Sequence, residues 1–96
     1  MASVAARYIL VFYAPPAAVQ ACKTAIFKAG AGRYPGLGNY TECAFTTTGT
    51  GQFRPGDSAK PHIGKVGDLE ETPEVRVETL CLNEKVARAA VEALRK

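Results

Sequence analysis

The chain has 96 residues, enough for one domain and no more. Hydrophobic residues make up 47% and charged residues 22%, the balance of a globular domain, which excludes a disordered chain. Twelve Lys and Arg against nine Asp and Glu leave a net charge of +3. The basic residues are scattered and not gathered into a stripe with stacking aromatics, so no nucleic-acid partner is expected. No apolar run nears the roughly 20 residues of a membrane span, so no membrane partner is expected either. The start lacks the layout of a signal peptide, a basic stretch followed by a long apolar one. Cys22, Cys43 and Cys81 form neither a CxxC pair nor a dense even set. That usage predicts reduced thiols and a cytoplasmic location.

Residues 1–6 read as a frayed start. Arg7 to Ala14 predicts the first strand, containing the longest apolar stretch in the chain, residues 8–14. Tyr8, Leu10 and Phe12 fall on one face, Ile9, Val11 and Tyr13 on the other. A strand with no polar face predicts a central position, covered on both sides. Pro15 and Pro16 stop it, since proline gives a ladder no donor, and Pro16 can open a helix. Residues 17–29 follow helical spacing, with Val19, Cys22 and Ile26 on the inner face and Lys23 and Lys28 outside. Cys22 is expected in the core. Gly30 and Gly32 end the helix.

Residues 30–39 hold four glycines and a proline and predict a loop. The second strand is expected from near Tyr40. Cys43, Phe45 and Thr47 alternate with Ala44, Thr46 and Thr48. Gly49 and Gly51 interrupt it, as at a bulge or a close backbone approach, and Phe53 resumes the apolar set. Residues 54–67 form a proline- and glycine-rich loop of fourteen residues, long enough to suggest function. Leu69 to Leu82 predicts a third strand, interrupted at Pro73. Val75, Val77, Thr79 and Cys81 share one face, and Arg76, Glu78 and Leu80 the other. Asn83 is a good N-cap for a second helix running to the last residue. Its apolar face is Val86, Ala87, Ala90, Val91 and Leu94.

The order β-α-β-β-α is that of a split βαβ, ferredoxin-like α+β fold short of its fourth strand. Two helices lie on one face of the sheet. The fourth strand is either missing or supplied from elsewhere, and the edge so left invites a second subunit or a partner chain.

Several residues carry chemistry. Gly49-Thr50-Gly51 either lets a phosphate approach the backbone or marks a bulge, the bulge being the stronger reading. Arg54, Lys60, His62 and Lys65 make the 54–67 loop basic, and Arg54 can fork to a carboxylate or phosphate. His62, the only histidine, makes a poor metal site alone but appears three times in a trimer. Cys43 and Cys81 approach one another if their strands pair, and thiolates suit soft divalent metals; buried cysteine more often packs as a small hydrophobe. Glu70, Glu71, Glu74 and Glu78 either bind a hard cation or keep a strand edge soluble. No nucleophile–base arrangement and no carboxylate pair can be built, so no catalysis is expected.

The patterns Gly30-Ala31-Gly32-Arg33, Asn39-Tyr40-x-x-Cys43-x-Phe45, Gly49-Thr50-Gly51-x-Phe53-Arg54-Pro55-Gly56 and Pro61-x-Ile63-Gly64-x-x-Gly67-x-Leu69-Glu70-Glu71 stand in one order. With Arg7 to Pro15 and Val75 to Thr79, they resemble the PII/CutA-like insertion domain of the Nif-three-like family, over about residues 7–95. That family comprises dinuclear-metal hexamers also described as GTP cyclohydrolase type-one-like proteins. The residues that ligate the family's two metals have no counterpart here, nor does its His-Pro-Tyr-Glu-Glu-Pro-like motif after the second helix. Residues 34–38 read as a small insertion. The resemblance implies a single stand-alone PII/CutA-like domain over residues 1–96. It further implies a homo-oligomer, a trimer first, with a regulatory or metal-homeostasis role and ligands bound at subunit clefts. Ligand contacts are expected at Gly49, Gly51, Phe53, Arg54, Pro55, His62, Gly64 and Glu70. A divalent metal is expected at His62 and Cys43. The alternative is a protein-interaction module recruiting a partner through its exposed strand edge and the 54–67 loop.

Overall fold

The long third strand organises the molecule. The computed structural model describes residues 6–35, 38–56 and 64–95. In it β1 (Tyr8–Ala14), α1 (Val19–Lys28), β2 (Phe45–Phe53), β3 (Glu70–Cys81) and α2 (Glu84–Leu94) follow in order. β3 is central in a three-stranded sheet of order β1-β3-β2, antiparallel to both neighbours. β1 and β2 therefore run parallel with β3 between them, the arrangement of a split βαβ unit. The fold is ferredoxin-like α+β, as expected, and the outer edges of β1 and β2 are unpaired among the described residues.

One sheet face carries the core. Tyr8 lies opposite Cys81, Leu10 opposite Thr79 and Phe12 opposite Val77. On this face Ile26 and Ala31 pack with Cys81 and Ala90, and Leu10, Phe12, Phe27, Val86 and Leu94 close around them. Val77 and Thr79 are also buried here. Burial of these side chains at about 25 cal/mol per Å² drives both helices onto the sheet. Cys22 is half-buried at the margin of this core, not inside it, and Val91 stands at its rim.

Local chemistry explains where the elements begin and end. α1 starts at Val19, later than the spacing predicts, because Pro15 to Ala18 close a turn in which the Ala18 N–H donates to the Pro15 carbonyl at 2.9 Å. α2 begins as predicted: the Asn83 side chain accepts from the Val86 N–H at 2.9 Å. An Arg88–Glu84 pair at 3.1 Å spans its first turn. The helix ends at Leu94, short of the last residue.

Four further expectations are corrected. β1 is an edge strand and not a central one; its second apolar face is bare, with Ile9 58% and Tyr13 62% exposed. β2 begins at Phe45 and not near Tyr40, because Asn39 and Glu42 sit at φ 49° and 55°, outside extended geometry. There is no bulge at the strand glycines: Gly49 faces Glu74 and Gly51 faces Thr72 in unbroken one-to-one register. The close neighbour at Gly51 is a side chain and not a backbone: Glu74 occupies the space a Cβ would need. β3 continues through Pro73, since β1 ends opposite Val75 and β3 has only β2 beside it there. A strand edge tolerates a proline.

Beyond Val75 the β2–β3 pair projects from the helix-covered body as a two-stranded arm, and the molecule extends 56 Å along its longest axis.

Candidate functional site

The bare sheet face and the end of the arm hold the residues with chemistry left to offer. The alternation that sends Val77 and Thr79 into the core sends Arg76, Glu78 and Leu80 to the opposite face. Beside them stand Ile9, Val11 and Tyr13 of β1, and Phe45 and Thr47 of β2. Among the described residues this face is largely open, although Leu80 is buried, and Phe45 is 66% exposed. In its middle the Arg76 Nη1 donates to Glu78 Oε1 at 2.9 Å. That bond, with the Tyr13 side chain on the neighbouring strand, holds the Arg76 pKa above its ordinary value. The guanidinium is thereby tied to Glu78 between the apolar side chains of the two edge strands.

Two clefts open on this face. One of about 360 Å³ lies among Ile9, Tyr34, Tyr40, Phe45, Glu78 and Leu80. A smaller one of about 250 Å³ runs along Gly49 to Gly51, walled by Tyr13, Thr47, Glu74 and Arg76. Gly49 and Gly51, two of the three glycines expected to bind ligand, line this second cleft.

The end of the arm gathers the other expected residues. Phe53 and Glu70 form the last pair of the β2–β3 ladder. Just past it the Arg54 Nη1 donates to the Gly67 carbonyl at 2.7 Å, and the Gly67 N–H donates to the carbonyl of buried Pro55 at 2.8 Å. Gly64, at φ +84°, lies against the Glu70 side chain where a Cβ would stand. Phe53, Arg54, Pro55, Gly64 and Glu70 thus come together, and Arg54 closes the base of the loop. His62 lies outside the described residues.

Cys43 belongs elsewhere. Its N–H donates to the Gly32 carbonyl at 2.8 Å, its carbonyl accepts from Thr79 Oγ1 at 2.7 Å, and its thiol lies 3.6 Å from the Thr41 carbonyl. The nine residues of β2, about 26 Å of extended chain, separate it from the 54–67 loop. Cys43 therefore stands a strand's length from Arg54, where that loop begins. Cys81 offers no second thiolate, since it is buried under the helices, and that burial pushes its thiol pKa up. Among the described residues no three His, Cys, Asp or Glu side chains are grouped to hold a metal ion. No described helix is long and apolar enough to cross a membrane.

Two features escape sequence reading. The Tyr13–Arg76–Glu78 set joins two strands far apart in sequence, and only the alternation at Arg76 and Glu78 hints at it. Gly32 is a structural staple: its N–H donates to the Leu80 carbonyl and its carbonyl accepts from Cys43, both at 2.8 Å.

No family model matches the chain. It is 44% identical over 81 residues to a GTP cyclohydrolase 1 type 2 homolog of Mycobacterium leprae, covering 84% of this chain and 20% of that protein. It is 41% identical over 85 residues to the homolog of the same name in Bacillus subtilis, covering 88% of this chain and 22% of that one. The crystal structure of a Bacillus cereus protein related to NIF3 superposes with a TM-score of 0.68 at 30% identity, over 92% of this chain and 20% of the other. The chain spans about a fifth of the length of these relatives. In sequence and in fold it matches a Nif3-like domain, one segment of those longer proteins.

Proposed function

We propose that the chain is a non-catalytic, self-associating PII/CutA-like module, trimeric by preference. In this reading it covers its bare sheet face with copies of itself and binds a small ligand or divalent metal at the clefts between them. One observation carries the reading: Ile9, Tyr13 and Phe45 stand 58%, 62% and 66% exposed on a single flat face. A sheet face this apolar is normally buried against another layer. The Gly49–Gly51 cleft opens on that face, and the Phe53–Glu70 end of the arm is its continuation. In this reading a bound cation draws ligands from more than one copy, since three copies bring three His62 side chains to one axis. The role is then regulatory or one of metal homeostasis, in the cytoplasm, where the three unbridged cysteines stay reduced. The cyclohydrolase name belongs to relatives about five times as long, and this segment is given no catalytic part.

A second reading rests on the outer edge of β1. Tyr8–Ala14 offers an unpaired, uncharged row of backbone groups to a partner strand, so the module can also recruit a protein by β-addition.

Sedimentation velocity tests the first reading. Wild type at about 100 µM, far above the Kd of a standard interface, should sediment as a trimer or a multiple of it. Tyr13→Glu puts a charge on the face without touching the core and should remove the threefold contact with the circular dichroism unchanged. A monomeric wild type, or a Tyr13→Glu variant that associates as before, would overturn it.

A further inference from the structure

We propose that β2 is a self-recognition strand, pairing antiparallel with β2 of a second copy about a two-fold axis at Gly49. β2 is an edge strand of nine residues with no charge, no proline and no bulge along its length. Natural edges are normally protected by at least one of these devices, because an unprotected edge templates another strand. Every β2 residue except Gly51 is exposed.

The residue order says which strand fits. Gly49 is the middle residue of Phe45–Phe53, and the two ends are phenylalanines. When β2 meets itself antiparallel about Gly49, Phe45 of each copy faces Phe53 of the other. Thr46 faces Gln52, Thr47 faces Gly51, Thr48 faces Thr50, and Gly49 faces its own copy. Both phenylalanines alternate with Thr46 onto the bare face, so each end of the contact gains a cross-strand aromatic pair. Threonines fill the middle. No like charges meet, since the strand has none. A two-fold contact of this kind is isologous and closed, which limits it to two copies and prevents open fibres. β1 lacks this symmetry: its aromatics stand at Tyr8, Phe12 and Tyr13, off centre in Tyr8–Ala14.

The contact uses the backbone edge of β2 and does not depend on the threefold face contact proposed above. With both contacts present the smallest closed assembly is a hexamer; with this one alone it is a dimer. Wild type should therefore contain a two-fold contact whichever state the face adopts.

Cross-linking reads the register directly. Gly49 has open space where a Cβ would be, so Gly49→Cys fits without displacing anything. Its two thiols should meet at the axis and join through oxidation or a short bis-maleimide, with peptide mapping identifying the 49–49 link. Thr46→Cys on the same edge puts its two thiols about 20 Å apart and should give none. Gly49→Lys places like charges directly opposite each other and should weaken the two-fold step at least about fivefold, leaving the fold intact. Tyr13→Glu should leave the 49–49 link unchanged, which separates failure of this contact from failure of the face. Absence of the 49–49 link, equal linking at position 46, or unchanged association of Gly49→Lys would each overturn the proposal.

Discussion

Substituting Gly32 by alanine tests the local architecture most sharply. Gly32 sits at φ +80°, where an alanine pays about 1–2 kcal/mol for its Cβ. A Cβ there would lie 2.9 Å from the backbone N and O of Cys43 and 2.9 Å from Phe27 Cε1. The Cys43 contacts are backbone and cannot swing aside, and relieving such overpacking costs about 1–3 kcal/mol. Shifting residue 32 also strains its two 2.8 Å bonds, to Leu80 and Cys43, which hold the entry to β2 against the end of β3. The sum is about 3 kcal/mol, a large share of the 5–15 kcal/mol typical of a domain. Urea unfolding followed by circular dichroism measures it. Gly30→Ala is the control: Gly30 also has positive φ, at 108°, but its Cβ would meet only Val86 methyls at 3.5 Å and 3.6 Å. The reasoning predicts that Gly32→Ala loses at least about 1 kcal/mol more than Gly30→Ala, the difference being the packing penalty. Equal losses would refute it.

Asn83→Ala removes the cap of α2 and should cost about 1 kcal/mol in the same assay, with Asn83→Asp nearly neutral. Thr79→Val keeps the shape but strips the 2.7 Å bond to the Cys43 carbonyl, and should cost about 1–2 kcal/mol, with faster amide exchange at residues 41–45. Maleimide should label Cys22 and Cys43 well before Cys81, whose thiol is buried. The Cys81 pKa is raised on folding, so its neutral form is favoured in the native state. The associated stability is fully present below the unfolded thiol pKa and is lost as the pH rises through the folded one. Urea titrations from pH 7 to 11 should show this decline flattened in Cys81→Ala, after allowance for the cavity.

What the sequence shows plainly is what short-range patterning controls. The five elements, their order and the Asn83 cap follow from alternation, helical spacing and punctuation by proline and glycine. What it hides depends on neighbours distant in the chain. The apolar outer face of β1 reads as covered because alternation cannot distinguish a face buried within one chain from a face left bare. Pro73 reads as a break because its local rule ignores that β1 stops opposite Val75, which leaves that side of β3 free. Gly51 reads as a bulge because the Glu74 side chain that fills its place arrives from the opposite strand. Within the candidate site, the cluster of Phe53, Arg54, Pro55, Gly64 and Glu70 was legible, since a hairpin brings the two flanks of its loop together. Cys43 stands apart from the described flanks of that loop, with β2 between them.

Native mass spectrometry of the wild-type chain tests the central claim, that the bare sheet face is an interface between copies. The account predicts a trimer or a multiple of three chains, with any retained ligand or metal as added mass. A bare monomer across the accessible concentration range would contradict it and leave the strand edge as the site of a different partner.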